Sequence, residues 1–227
     1  MKSLVKSTVV AIVAAATAGA PAMAQKAGGT LKMIHRDNAP SGSIHEEATN
    51  SVTEPFMGVF NNLVMFDQTK HINSAETIVP DLAKSWEWDA TKTKLTFKLH
   101  EGVKWHDGKP FTSADVKCTF DLVLGKAKDR WRKNPRAVWY TNLKDVTVNG
   151  PNETTLVLEN PQPGFINLLA SGYTPVYPCH VNAQTMRTDP IGTGPFKFVE
   201  WKRNEKMRFA KNPDYFKRGL PYLDGIE

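Results

Sequence analysis

Alternating apolar and polar positions mark two hairpins in the middle of the chain. Trp86 and Trp88 flank Glu87, and Leu95, Phe97 and Leu99 flank Thr96 and Lys98, with a polar turn over 89–94. Val146 and Val148 alternate in the same way, Asn149-Gly150-Pro151-Asn152 turns the chain, and Leu156 and Leu158 lead back. Side chains of a strand alternate between faces, so each hairpin has one buried and one wet face. Between the hairpins the period becomes helical. Thr112 with Asp115 three residues on forms a capping-box pattern, and an apolar stripe follows from Ala114 to Leu124. Upstream, Thr30 to Arg36 reads as a first strand, Asp37 to Ser43 as a turn-rich loop and Glu46 to Asn62 as a helix that Pro55 kinks or divides. Downstream, Pro161-Gln162-Pro163 precedes a short helix over 165–170. Tyr173 to His180 is extended, Phe196 to Trp201 is a strand, 212–216 is a turn, and Ile226 opens another strand.

The N-terminus follows a different rule. Lys2 and Lys6 precede an alanine-rich apolar run from Val9 to Ala18, then Gly19, Pro21 and Ala22-Met23-Ala24. A basic start, a short apolar run and an A-x-A site predict a cleavable export signal over 1–24, too short to serve as a membrane span. With Lys2 and Lys6 removed, the formal charge of +6 becomes +4. That modest balance, with acids interspersed, lacks the concentrated basic stripe of a nucleic-acid binder. Export makes a disulfide between the two cysteines, Cys118 and Cys179, chemically available, and two buried thiols are the alternative.

The stretch Trp105-His106-Asp107-Gly108 raises the question of catalysis. Asp-Gly is a turn signal, Pro110 ends a strand and Thr112 caps a helix, so a scaffold turn explains every residue type present. In that reading Trp105 packs over the turn and His106 hydrogen-bonds to its backbone. The alternative is a secreted hydrolase using His106 and Asp107, without any accompanying nucleophile motif. Gly192-Thr193-Gly194 is followed by Pro195, which removes an N–H from any phosphate cradle, and reads as a glycine-hinged entry to a strand. Ala170-Ser171-Gly172 lacks the first glycine of a nucleophile elbow. Glu46 and Glu47 are adjacent and point apart, and Cys179-His180 lacks metal-ligand spacing. Arg136 and Trp139, three apart, share a face on a helix and offer a planar or anionic ligand both cation–π contact and forked hydrogen bonds. A solvated basic face with a buried Trp139 is the other reading.

Taken in order, several motifs resemble one family. They are Val79-Pro80-Asp81-Leu82-Ala83-Lys84-Ser85-Trp86, then Gly102 to Val116, then Ile191-Gly192-Thr193-Gly194-Pro195-Phe196, and finally Asn212-Pro213-Asp214-Tyr215-Phe216 with Pro221-Tyr222-Leu223-Asp224-Gly225-Ile226. The chain from about Gly28 onward resembles the family 5 extracellular solute-binding proteins, the dipeptide-, oligopeptide- and nickel-binding components of ABC importers. The resemblance implies a mixed α/β, periplasmic-binding-protein-like clamshell of which this chain is the N-terminal part. Residues 25–57 would begin the first lobe, 58–189 would form a β-rich subdomain, and 190–227 would return to the first lobe. It implies a peptide-like or other small solute held without chemistry, no cofactor, a membrane permease as partner, a monomer and a periplasmic location. Arg136-Ala137-Val138-Trp139 matches an R-x-x-W element that faces the cleft in the nickel-binding relative, and Tyr173 falls at another cleft position. The loop after the first strand, with Asp37, Asn38 and Ser41, is a further expected rim. An exported chaperone-like binder of unfolded segments is a minor third possibility.

Overall fold

The computed structural model describes residues 26–127 and 131–227. The expected export signal, 1–24, lies outside the described residues. Among the described residues ten strands form three sheets. The first is mixed: β1 (Thr30–Leu31), β8 (Phe196–Lys202), β9 (Lys206–Lys211) and β10 (Gly225–Ile226) in the order β1-β10-β9-β8, with β1 parallel to β10. The second pairs β2 (Val64–Phe66) with β3 (Ile78–Pro80). The third is antiparallel: β4 (Ala83–Trp88), β5 (Lys94–Leu99), β6 (Leu143–Gly150) and β7 (Glu153–Leu158) in the order β4-β5-β7-β6. Four short α-helices complete the fold: α1 (Asn50–Phe56), α2 (Ser113–Val123), α3 (Phe165–Leu169) and α4 (Ala183–Thr188).

The third sheet joins the two expected hairpins through β5 and β7. Trp86 lies opposite Phe97 and Trp88 opposite Leu95, while Leu95 and Phe97 meet Leu156 and Thr154 of β7. One face therefore stacks indoles, leucines and Phe97, and α2 packs across the same sheet. The capping box is present: the Thr112 N–H donates to Asp115 Oδ2 at 2.9 Å and the Asp115 N–H bonds back to the Thr112 side chain.

One expectation is corrected. The first strand covers only Thr30–Leu31, because β10 offers just two partner residues and the chain beyond Met33 leaves the sheet. The helical stretch over 46–62, expected to be kinked or divided at Pro55, is divided: a 3-10 turn at Ile44–Glu46 precedes α1, and a 3-10 turn at Met57–Val59 follows it. Proline removes one backbone donor and crowds the preceding turn.

Cys118 and Cys179 are disulfide-bonded, with Cα atoms 5.6 Å apart. The bond ties α2 to the extended 173–180 segment. That segment is already held to the helix by Thr119, whose hydroxyl accepts from the Tyr177 N–H at 2.9 Å, and by Asp115, which accepts from the Cys179 N–H.

The return crossover into β8 is the tightest junction in the molecule. The Gly194 N–H donates to the Val59 carbonyl at 2.9 Å. A Cβ on Gly192 would lie 1.9 Å from the Val59 oxygen, and one on Gly194 2.4 Å from the Val59 carbonyl carbon. These glycines are required by close backbone approach.

Gly192→Ala is expected to cost at least about 3 kcal/mol or to abolish folding, measured by urea denaturation. Gly164→Ala, where nothing lies within 4 Å of a new Cβ, should be near neutral. Reducing the disulfide, which spans 61 residues, should lower stability by roughly 4 kcal/mol in the chain-entropy picture. An unchanged urea midpoint in reductant would contradict this.

Candidate functional site

The Trp105–Pro110 stretch is scaffold. The Gly108 N–H donates to the Trp105 carbonyl at 2.9 Å, and Gly108 has φ +87°, which suits glycine. Trp105 is buried edge-on against Phe111. His106 does not bond to its own turn. Its Nδ1 accepts from the Gly192 N–H at 3.3 Å and its Nε2–H donates to the Gly194 carbonyl at 2.9 Å. Both ring nitrogens are thus spent on the crossover strand. Burial pushes the imidazole down to about 4, leaving it neutral at pH 7. Asp107 turns away to His180, 2.7 Å from Nε2, and to the Lys109 N–H. The pair expected under the hydrolase alternative is not assembled, and that alternative has no support.

Glu46 and Glu47 point apart, as adjacent residues should. Glu46 is buried and takes a two-pronged grip from Arg187, at 2.6 and 2.9 Å, plus the Arg132 N–H at 2.6 Å. Glu47 pairs with the Arg132 guanidinium at 2.9 Å. Ser41 is buried and donates to Glu47 Oε1, so it belongs to this scaffold and is not a rim residue.

Arg136 reaches the same segment by another route. Only 5% of it is exposed. Its Nη1 donates to the Glu47 carbonyl at 2.7 Å and its Nη2 to the Ile44 carbonyl at 2.6 Å. The guanidinium carbon lies 4.6 Å from the Tyr173 ring centroid and 5.9 Å from that of Trp139. Its Nε has no hydrogen-bond partner. Arg136 therefore sits beneath the surface and does not present a fork to solvent, as the sequence reading expected. Trp139, on a 3-10 turn over Ala137–Tyr140, is 44% exposed, and its ring meets Tyr173 at 78° with centroids 5.9 Å apart.

The start of α1 brings this aromatic notch beside the loop rim. The Tyr173 hydroxyl donates to Asn50 Oδ1, and the next residue, Ser51, donates to Asp37 Oδ2 at 3.1 Å. Asn38 exchanges two bonds with Asn204 at the β8–β9 tip, at 2.5 and 2.9 Å. Asp37 and Asn38 line a groove of about 760 Å³ that extends past Met57 to Trp201 and Glu227. Consecutive α1 residues, Asn50 and Ser51, thus link Tyr173 to Asp37, while Arg136, Trp139 and Tyr173 do not line the groove itself. Neither asparagine, Asn50 nor Asn204, carried a signal in the sequence.

Below the notch, His45 joins three segments. Its Nε2–H donates to the Pro175 carbonyl at 2.7 Å, its Nδ1 accepts from Asn134 at 3.3 Å, and its ring meets Tyr177 edge-on. Burial pushes it down to about 4. Among the described residues no group of three or more His, Cys, Asp and Glu is placed to hold a metal ion, and no helix is long and apolar enough to cross a membrane.

A profile described as bacterial extracellular solute-binding proteins, family 5 Middle, matches residues 77–227. The chain belongs to that family. A Brucella ovis relative, assigned by its name to peptide binding in an ABC transporter, is 37% identical over 180 residues, which is 74% of this chain and 31% of the relative. The structure of the oligopeptide-binding protein AppA from Bacillus subtilis, in complex with a nonapeptide, aligns over 88% of this chain and 40% of its own, with a TM-score of 0.75 and 28% identity. NikZ from Campylobacter jejuni, in complex with Ni(L-His), aligns over 87% of this chain and 38% of its own, with a TM-score of 0.70 and 26% identity. The mixed α/β fold of this family 5 chain is that of periplasmic binding proteins. The chain spans about a third of the length of the curated relatives it matches.

Both buried histidines are neutral in the fold and take up protons below their unfolded value near 6.5. Stability is therefore full above pH 6.5 and is lost as pH falls from there toward 4. Between pH 7.5 and 5.5 the loss should reach at most about 1–2 kcal/mol per histidine. Urea denaturation measures it, and imidazole nitrogen spectra at pH 5.5 should keep the neutral pattern for His45 and His106.

Proposed function

We propose that this chain is part of a periplasmic solute-binding protein that holds a peptide-like solute, chemically unchanged, for delivery to an ABC importer. Its membrane partner is the importer's permease. The protein acts as a monomer, reaching the periplasm through the export signal over 1–24. In this reading residues 25–57 and 190–227 belong to a first lobe and 58–189 to a β-rich subdomain, with a solute closed between this face and an opposing lobe. No catalytic group is involved. Family membership and the nonapeptide bound to AppA support the class of ligand, and the Ni(L-His) bound to NikZ extends it to small chelates.

The observation that supports the reading is that the Trp139–Tyr173 pair and the Asp37–Asn38 loop are both tied to the first turn of α1, through Asn50 and Ser51. Aromatic walls with a few fixed polar groups are the usual composition of a ligand site. Arg136 holds that face from below, and Ser41 lies outside it.

One face buries only part of a ligand, and the entropic cost of association is the same as for a closed cleft. Residues 25–227 are therefore expected to bind tripeptides weakly, with Kd of about a millimolar, by calorimetry or NMR titration. Trp139→Ala and Tyr173→Ala should each remove that binding without changing the fold. Tight binding indifferent to both substitutions would place the ligand elsewhere.

A further inference from the structure

The Cys118–Cys179 bond joins two elements that other contacts already join. Along the segment from Tyr173 to His180, the Val176 N–H donates to the Asn61 carbonyl at 3.0 Å and the Tyr177 N–H to the Thr119 hydroxyl of α2 at 2.9 Å. The Thr174 hydroxyl lies 2.7 Å from that of Tyr140, and the buried Tyr177 ring packs on Phe60 and His45. The Cys179 N–H donates to Asp115 of α2 at 2.9 Å. Backbone, hydroxyl, carboxylate and ring groups make all of these contacts, so breaking the S–S bond removes none of them. In the chain-entropy picture a disulfide constrains mainly the unfolded chain. The folded one keeps its arrangement where hydrogen bonds and packing already set it.

The two sulfurs differ in access. Cys179 is exposed near the end of the segment, whereas Cys118 is half-buried in the middle of α2. Disulfide exchange begins with a thiolate attacking one sulfur, and access helps decide which. Here the accessible sulfur is that of Cys179. The reduced thiol has an acceptor in place: Cys179 Sγ lies 3.2 Å from the Ala114 carbonyl oxygen. Beyond Cys179, His180 pairs with Asp107 at 2.7 Å and Asn182 caps α4, so the chain on that side is held as well.

We propose that Cys118–Cys179 is a thiol-exchange site of the folded protein, opened at Cys179 by an external dithiol. The donor's thiolate attacks the Cys179 sulfur. A bond forms between those two sulfurs, the bond to Cys118 breaks, and Cys118 leaves as a thiolate that takes a proton from water. The donor's second thiolate then attacks the donor's own sulfur in the mixed disulfide and releases Cys179 as a thiolate, which is protonated in turn. The donor ends as a disulfide, and the chain gains two electrons and two protons. α2 and the Tyr173–Tyr177 stretch stay in place throughout. The site is independent of what the Trp139–Tyr173 pair binds.

The test incubates the oxidised chain, without denaturant, at about pH 8, where thiolates are well populated. The probe is a thioredoxin whose second motif cysteine is serine, a donor that cannot complete the second step and so holds the mixed disulfide. Alkylation and peptide mass spectrometry locate the adduct, and hydrogen exchange follows the Val176 and Tyr177 amides. The adduct should sit on Cys179 over Cys118 by roughly ten-fold or more, with Cys118 alkylated and both amides as protected as in the oxidised chain. Dithiothreitol run in parallel identifies the source: a thioredoxin adduct assigns the site to C-x-x-C proteins, and opening by dithiothreitol alone assigns it to small dithiols. Opening by neither until urea unfolds the chain, or an adduct mainly on Cys118, overturns the proposal. So does loss of protection at Val176 or Tyr177 on reduction, which would make the bond a structural staple.

Discussion

The fold depends on a contact between bare backbones. Where the chain returns toward β8, Gly192 and Gly194 run against the Val59 carbonyl at distances that leave no room for a side chain. On the opposite side, His106 clamps the same two residues through both ring nitrogens. Thr193 donates to Asn61, Asn61 donates to the buried Asp81, and Asp81 is also held by the Asn62 N–H and by Lys217. One junction thereby locks the end of the α1 region, the turn before α2, the start of β3–β4 and the root of the first sheet. Buried polar groups that are fully satisfied in this way specify a single arrangement, because every alternative leaves donors unpaired.

The rigidity of that junction explains why the surface bearing Trp139 and Tyr173 can be built from short irregular pieces. α1 has only seven residues, and the turn bearing Trp139 is a 3-10 segment of four. Neither has much intrinsic stability. Their positions come from the Ile44–Glu47 segment, on which Arg132 and Arg136 from one stretch and Arg187 from α4 converge. Arginine suits this task because its planar fork reaches two acceptors at once, and a lysine supplies a point charge without that geometry. Arg136 spends its fork as a brace on the Ile44 and Glu47 carbonyls.

Local structure was legible in the sequence where its causes are local. The two hairpins announced themselves through alternation, and α2 through Thr112 and Asp115, because strand faces and helix caps are decided within a few residues. The family likeness rested on those same ordered motifs. The role of His106 was not legible: its partners lie 86 and 88 residues away, and adjacency to Asp107 invited a pairing that the turn forbids. Arg136 was found for its neighbour Trp139, yet its hydrogen bonds run to carbonyls 89 and 92 residues distant, which leave no trace in residue type. Ser41 sat in a polar loop and proved buried for the same reason, since a carboxylate six residues on turned back to meet it.

The same long-range bonds separate the molecule into groups that hold and groups that face outward. His45, Glu46, Ser41 and Arg136 are all polar, and all are spent inside, on Pro175, Arg187, Glu47 and the Ile44 carbonyl. Trp139 and Tyr173 are aromatic, yet they stand at the surface with few constraints beyond one hydroxyl bond to Asn50. This reverses the ordinary distribution of polar and apolar side chains. An exposed indole is costly in water unless something covers it, and a buried cation is costly unless something neutralises its field. The two costs occur within 6 Å of each other.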